Sequence, residues 1–431
     1  MLKRASFIPL RHTFGRRNLA PLGLLVLVLG VGGFGIYQSR QQPGPASAAT
    51  PAKLEPYSLG FAPYAYLPYS TDLIDNIRAT TGVKQYVVAF INSAGSCTPT
   101  WDNDATLGLG STRGNAIGAD IAKLRTNGGD VTLSFGGEGG NELANYCTDV
   151  TSLKAAYRSV IDKYNLTRVD FDIEGTNASQ TAANLRRAQA VASLKQDLPG
   201  LKVYLTIQTD TSIGLDPAGK VIAEQMRDAG VPLAGINIMT MIFGTGTDDG
   251  AATISAAKAA FTTLKSMYPS NTDAEIWQSL DLTALIGVAY GGGETYTLAN
   301  AQTVRSWAQA QKIGMLTMWN VARDQPCAGT AHNLTDETCS GVTQTPYQYM
   351  SILNMPASTN TATPAPTATP VATPTPIANP SDINKDGLVN VFDLSTLLTN
   401  WNLTGTNAAD INKDNVVNVF DLSVLLSHWT K

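Results

Sequence analysis

Residues 56–355 predict an α/β fold, a closed (β/α)8 TIM barrel, on three observations. Eight short β-rich runs alternate with helical stretches. They occupy roughly 300 residues, which suits a barrel of about 250 residues with insertions. No glycine-rich phosphate loop follows the first run, which argues against the doubly wound open sheet that the same alternation would allow. In chain order the strands are "SLGFAPY", "QYVVAFIN", "DVTLSFGG", "RVDFDIEG", "KVYLTIQ", "GINIMTM", "TALIGVA" and "GMLTMWN". Helices are expected over 117–126, 152–164, 180–196, 217–229, 252–267 and 299–311. A barrel gathers its functional side chains where strands end and loops begin, so motifs at those ends carry the most information.

The 431-residue chain has further parts. Residues 1–50 begin with Lys3, Arg4, Arg11, Arg16 and Arg17 and continue into an apolar run over 19–37. This is a membrane-targeting pattern, longer than the ~7–15 residues of an ordinary signal core and close to the ~20 that span a bilayer. "ASAAT" at 46–50 offers cleavage after Ala48, so a signal peptide and a retained anchor both stand. Either places the remainder outside the cytoplasm, secreted or tethered to the outer face of the cytoplasmic membrane. Residues 356–381 are a Thr/Pro/Ala-rich linker whose prolines favour an extended spacer.

Residues 382–431 hold a repeat of period 28, "DINKDGLVNVFDLSTLLTNW" and "DINKDNVVNVFDLSVLLSHW". Each copy opens with oxygen-bearing side chains at calcium-loop spacing: Asp382, Asn384, Asp386, Asn390 and Asp393, then Asp410, Asn412, Asp414, Asn418 and Asp421. Leu388 and Val416 would add backbone carbonyls, and hard oxygen donors at this spacing suit Ca2+. Asn415 stands where such loops usually place glycine. The repeat resembles a type I dockerin, a small all-α calcium-binding module, which implies docking to a cohesin-like partner. A self-contained cell-surface adaptor is the alternative. Dockerins often carry small hydroxyl residues at loop positions 10 and 11, where this chain has Val391 and Phe392, then Val419 and Phe420.

A net charge of −4 with 15% charged residues gives no basic face for nucleic acid. Four cysteines in an exported chain read as two disulfides, and of the three pairings Cys97–Cys147 and Cys327–Cys339 are expected. No metal or organic cofactor is expected for catalysis, because His12, His332 and His428 all lie outside the barrel strands.

The stretch "RVDFDIEGT" at 168–176 carries the chemistry. Alternation along a strand puts Asp170, Asp172 and Glu174 on the inner face and Val169, Phe171 and Ile173 on the outer one. Glu174 then lies roughly 13 Å beyond Asp170, at the C-terminal mouth. Crowded like charges raise at least one carboxyl pKa toward that of a general acid, and Glu174 is the natural proton donor.

"SFGG" at 134–137, "DFDIE" at 170–174 and "MWN" at 318–320 resemble glycoside hydrolase family 18, the chitinase barrels, over about 57–355. The resemblance implies hydrolysis of β-1,4-linked N-acetylglucosamine in chitin or its oligosaccharides. Glu174 would protonate the glycosidic oxygen and Asp172 orient the substrate acetamide, while Asp170 sets the charge of Asp172. The nucleophile would belong to the substrate, the family being an exception to the two-carboxylate rule. Trp319 would floor the sugar, with Met239, Met241, Tyr290 and Gln208 beside it, while Ser134, Gly136 and Gly137 shape the backbone next to the acids. Trp101 and Trp277 are candidates to extend the cleft or to pack. One departure stands out: "MTMIF" on the sixth strand has Ile242 where the family often has aspartate, and Phe243 lacks a hydroxyl. Two other readings follow, a carbohydrate-binding barrel with weak or no turnover and an endo-β-N-acetylglucosaminidase acting on N-glycan cores.

Overall fold

The computed structural model describes residues 50–68, 74–244, 246–290, 292–328, 337–356, 379–384 and 389–429. The membrane-targeting segment, most of the linker, His332, and the calcium-loop positions Asp386 and Leu388 lie outside these residues. The chain divides into two compact units, Met1–Thr359 and Asn360–Lys431.

The first unit is the eight-stranded barrel. Strand β1 runs over 60–66 in two pieces, Gly60–Phe61 and Tyr64–Tyr66. It is followed by β2 (Gln85–Ser93), β3 (Asp130–Gly136), β4 (Arg168–Asp172), β5 (Lys202–Asp210), β6 (Leu233–Met239), β7 (Leu280–Leu285) and β8 (Met315–Trp319). All neighbours in this ring pair in parallel. The first piece of β1 pairs with β8 (Gly60↔Met315) and the second with β2 (Tyr64↔Val87), which closes the cylinder. Pro63, lacking an N–H donor, sits between the two pieces, where neither ladder uses that donor.

A principal helix follows each strand, with shorter helical turns beside some of them: α1 (Ile74–Thr81), α2 (Thr112–Thr126), α3 (Val150–Tyr164), α4 (Thr181–Asp197), α5 (Pro217–Asp228), α6 (Asp249–Met267), α7 (Leu298–Gln311) and α8 (Gln348–Leu353). Short polar side chains set several starts. Ser111 Oγ accepts from Gly114 N at 3.0 Å, Asp149 from Ser152 N at 2.9 Å and Asp216 from Ala218 N at 2.9 Å. The Ser111 cap begins α2 five residues before the expected position 117, through a segment whose glycines read as loop. Helices α1 and α8 were not expected. The seventh strand is also corrected: "TALIGVA" covers only the end of β7, then Gly287–Val288, which pairs with Thr295–Tyr296 in a separate hairpin.

The main core lies between strands and helices and includes the outward-facing Val169, Phe171 and Ile173, each no more than 1% exposed. A smaller apolar cluster inside the cylinder gathers Leu59, Val87, Phe90, Tyr204 and Met315, with Trp319 against it. Of the two roles left open for Trp101 and Trp277, both residues take packing. Trp101 is fully buried, its indole N–H donating to Tyr164 Oη at 2.8 Å. Trp277 stacks on Phe261 of α6 with centroids 4.1 Å apart and meets Trp307 of α7 edge-on, in the outer layer. At the N-terminal end, Arg168 reaches Gln85 at 2.8 Å and Asp130 at 3.2 Å, a tie among β2, β3 and β4 remote from the mouth. Disulfides join Cys97 to Cys147 and Cys327 to Cys339.

Among its described residues the second unit has two helices, α9 (Val391–Thr399) and α10 (Val419–Ser427), around a core that includes Ile383, Leu397, Ile411 and Leu425. The repeat is visible in its hydrogen bonds. Asp393 accepts from the backbone N–H groups of Ile383, Asn384 and Asn390, and Asp421 accepts from Ile411, Asn412 and Asn418. In the second loop, carboxylate oxygens of Asp410, Asp414 and Asp421 lie within 4.8 Å of one another, the spread that one cation with ~2.3–2.6 Å oxygen contacts accommodates. Asn418 Oδ1 instead accepts from Phe420 N at 2.8 Å, capping α10, and its amide donates to the Val416 carbonyl at 2.9 Å.

Asn415 adopts φ +72°, the left-handed region that glycine occupies without steric cost. Asn415→Gly is therefore expected to stabilise the calcium-loaded unit by about 0.5–1 kcal/mol, less than for other residue types because asparagine tolerates this region. Thermal unfolding of this unit with and without Ca2+ measures it; a lower midpoint for the glycine variant would refute the expectation.

Candidate active site

The inward side of β4 forms the axis of the site. Asp170 is 2% exposed, and its carboxylate accepts from Ser134 Oγ (2.6 Å), Thr206 Oγ1 (2.8 Å) and Tyr64 Oη (3.2 Å). Asn237 extends the network, donating to Thr206 Oγ1 at 3.0 Å and accepting from Thr283 Oγ1 at 2.8 Å. Five strands thus fix one carboxylate inside the barrel. Tyr64, Thr206 and Asn237 were not singled out in the sequence. The parity that brings Gln208 to the mouth also turns Thr206 inward, so the signal for Thr206 was present.

Asp172 is 4% exposed, and its Oδ1 has no hydrogen-bond partner. Burial, then the Glu174 and Asp170 charges, push its carboxyl well above the usual range. Glu174 is half-buried, extended beyond the end of β4, and starts the four-residue helix Gly175–Ala178. Burial, with a contribution from the Glu138 charge, raises its pKa to about 7, while a hydrogen-bonding interaction with Asp172 works the other way. Asp170 is raised to about 6, again by burial, against the hydroxyl donors that favour its anion. Burial is the largest cause at all three. These groups share protons, so their titrations belong to the cluster.

Two glycines permit this arrangement. Gly136 has φ +106°, and a Cβ there would stand 2.1 Å from the Asp172 carbonyl oxygen. Gly137, at φ +84°, donates its N–H to that carbonyl at 2.9 Å, and a Cβ would meet the Phe90 ring at 2.5 Å.

Above the acids opens a cleft of about 740 Å³ lined by Asp172, Glu174, Trp319, Tyr290, Gln208, Met239 and Met241 among others. Trp319 stacks on Phe90 with centroids 5.6 Å apart and planes 13° from parallel, leaving the indole half-buried. Its Nε1–H is shared between Tyr290 Oη (2.9 Å) and Glu337 Oε2 (3.2 Å). Glu337, which also accepts from Asn320 Nδ2 at 3.1 Å, lies in an exposed polar loop and carried no sequence signal. Ile242 lines the cleft, 60% exposed and at φ +58°. Phe243 instead turns toward the core, while its N–H and that of Gly244 donate to the Glu294 carboxylate, each at 2.9 Å.

A family model for the type I dockerin domain matches residues 380–428. The barrel overlays the catalytic domain of a hyperthermophilic chitinase from Pyrococcus furiosus with a TM-score of 0.61 and 29% identity, covering 70% of this chain and 96% of that one. The barrel shares its fold with this chitinase domain. In sequence it is 33% identical over 312 residues to a probable bifunctional chitinase/lysozyme of Escherichia coli, covering 67% of this chain and 34% of that protein. It is 32% identical over 301 residues to endochitinase 11 of Metarhizium anisopliae, covering 65% of this chain and 55% of the relative. The chain thus spans about a third and about half of the lengths of these two relatives. Among the described residues no helix is long and apolar enough to cross a membrane. The barrel thus brings Asp172, Glu174, the stacked Trp319 and side chains of β5 and β6 to one mouth, with Asp170 buried beneath.

Proposed function

We propose that the barrel is a retaining chitinase that hydrolyses β-1,4-N-acetylglucosamine linkages with help from the substrate's own acetamide. The observation that carries this reading is the buried, unpartnered Oδ1 of Asp172 beside Glu174, an acceptor placed for a substrate amide N–H. Glu174 gives its proton to the glycosidic oxygen as the C–O bond breaks, and the acetamide carbonyl oxygen bonds to the anomeric carbon. Asp172 accepts the amide N–H and stabilises the resulting oxazolinium-like cation, while Asp170 keeps charge beneath it. Water then attacks the anomeric carbon from the side the leaving group occupied, Glu174 takes its proton, the bond to the acetamide oxygen breaks, and configuration is retained.

The experiment is hydrolysis of N-acetylglucosamine oligomers with the product anomer recorded by NMR as it forms. The β-anomer is expected first. Initial α-product, or equal rates on oligomers lacking the acetyl group at the cut site, would exclude the substrate-assisted route. Ile242, exposed in the cleft where relatives often have aspartate, favours a second reading as a binding barrel with weak turnover. Oligomers bound but never cut would support it.

For the second unit the reading is Ca2+-dependent docking to a cohesin-like or cell-surface partner outside the cytoplasm. The exposed Val391, Val419 and Phe420 at loop positions 10 and 11, between 57% and 65% exposed, favour an apolar contact rather than a hydroxyl-mediated one.

A further inference from the structure

Besides Asp172 and Glu174, the cleft is lined by Asp102, Glu138, Asp210, Asp216 and Glu337, and by no lysine, arginine or histidine among the described residues. None of these five acids takes part in a salt bridge there. Asp102, Glu138 and Glu337 follow β2, β3 and β8, while Asp210 ends β5 and Asp216 caps the helix after it, so the negative charge is spread around the cleft. The described acids that converge closely enough for one metal ion are Asp410, Asp414 and Asp421, in the other unit. A second observation points the same way. Asn92 is 1% exposed and lines the cleft beside Gly140; its amide nitrogen donates to the Gly136 carbonyl at 2.9 Å, while its Oδ1 is buried without a donor. The wall shared by Asn92, Asp102 and Glu138 thus offers acceptors and negative charge.

An uncharged sugar polymer gives such a field nothing to act on, whereas an ammonium group carries three donors, no acceptor and a positive charge. We infer that the preferred substrate is a partly deacetylated β-1,4-glucosamine polymer, bound through its ammonium groups at positions flanking an N-acetylated unit at the cut. This deepens the chitinase reading and rests on it, because the acetamide is required only where it supplies the nucleophile. A cleft lined by one sign of charge concentrates an oppositely charged ligand by tenfold or more, and salt screens the effect.

The test uses the full chain at mildly acidic pH, where the sugar amines are protonated. Glu174→Gln is titrated calorimetrically with a fully acetylated hexamer and with one deacetylated at alternate units. Roughly tenfold tighter binding of the second is expected at low salt. The ratio should fall toward one near 1 M salt, where the screening length is about 3 Å. Asp102→Asn with Asp210→Asn should lower the low-salt ratio several-fold. In wild-type digests of a partly deacetylated polymer, every new reducing end should be acetylated and its neighbours enriched in glucosamine. Equal or weaker binding of the deacetylated hexamer at low salt, or a ratio that ignores salt, overturns the inference. Wild-type cleavage of the acetylated hexamer would then still uphold the chitinase reading, whereas failure to cut either hexamer removes both.

Discussion

Glu174→Gln is expected to lower kcat on N-acetylglucosamine oligomers by about 10²–10⁴-fold while changing KM little, because only the proton donor is lost. The amide matches the carboxyl in size, so the Trp319 face and the Asp172 acceptor stay in place. Wild-type activity carries a second signature. The Glu174 pKa is raised to about 7, chiefly by burial, and the donor is the protonated form. Activity is thus supported below that value and lost as pH rises through it, instead of near the ordinary glutamate value of about 4.5. A kcat/KM profile against pH, recorded for both proteins, checks this. A glutamine variant within a few-fold of wild type, or a wild-type profile flat through neutral pH, would remove Glu174 from the role.

Gly136→Ala is expected to cost at least about 3 kcal/mol, combining left-handed backbone strain with a contact that cannot relax locally. The added methyl would sit 2.1 Å from the carbonyl of Asp172, so relief requires β3 or β4 to move. Such a shift carries Asp172 and Glu174 with it, and kcat should fall along with stability. Gly139→Ala is the control: its φ is +70°, yet a Cβ there meets nothing within 4 Å. It should cost only the ~1–2 kcal/mol of backbone strain and leave kcat near wild type. Chemical denaturation and kcat measured on both variants separate clash from strain. Equal effects would mean that the close approach to Asp172 is not what requires glycine at 136.

The site was legible wherever alternation alone decides a side chain's direction. Asp170, Asp172 and Glu174 could be assigned inward because their neighbours Val169, Phe171 and Ile173 had to face the helices. The dockerin-type loops were legible for a related reason, oxygen donors recurring at fixed intervals in both copies. Position in the layers was harder. The sequence left Trp101 open between cleft and core, because its hydrophobic surface is served equally well by either environment, and it fills the core. From Ala284 to Ala289 the run "ALIGVA" is apolar throughout, so nothing in it marked Leu285 as the end of β7. Helices α1 and α8 are only 8 and 6 residues long, too short to establish a periodic face. Contacts made across the barrel, such as Tyr64 to Asp170 or Glu337 to Trp319, depend on how distant segments converge.

The seam at β1 bears on how the molecule is made. Gly60 pairs with Met315, and Ser58 Oγ donates to the Gly314 carbonyl at 2.6 Å across 256 positions of chain. Synthesis proceeds from the amino terminus, so the first strand waits beside an open edge until the last one emerges. This contact order places assembly among slow folders, and a nascent barrel that halts before β8 retains a strand edge exposed to aggregation.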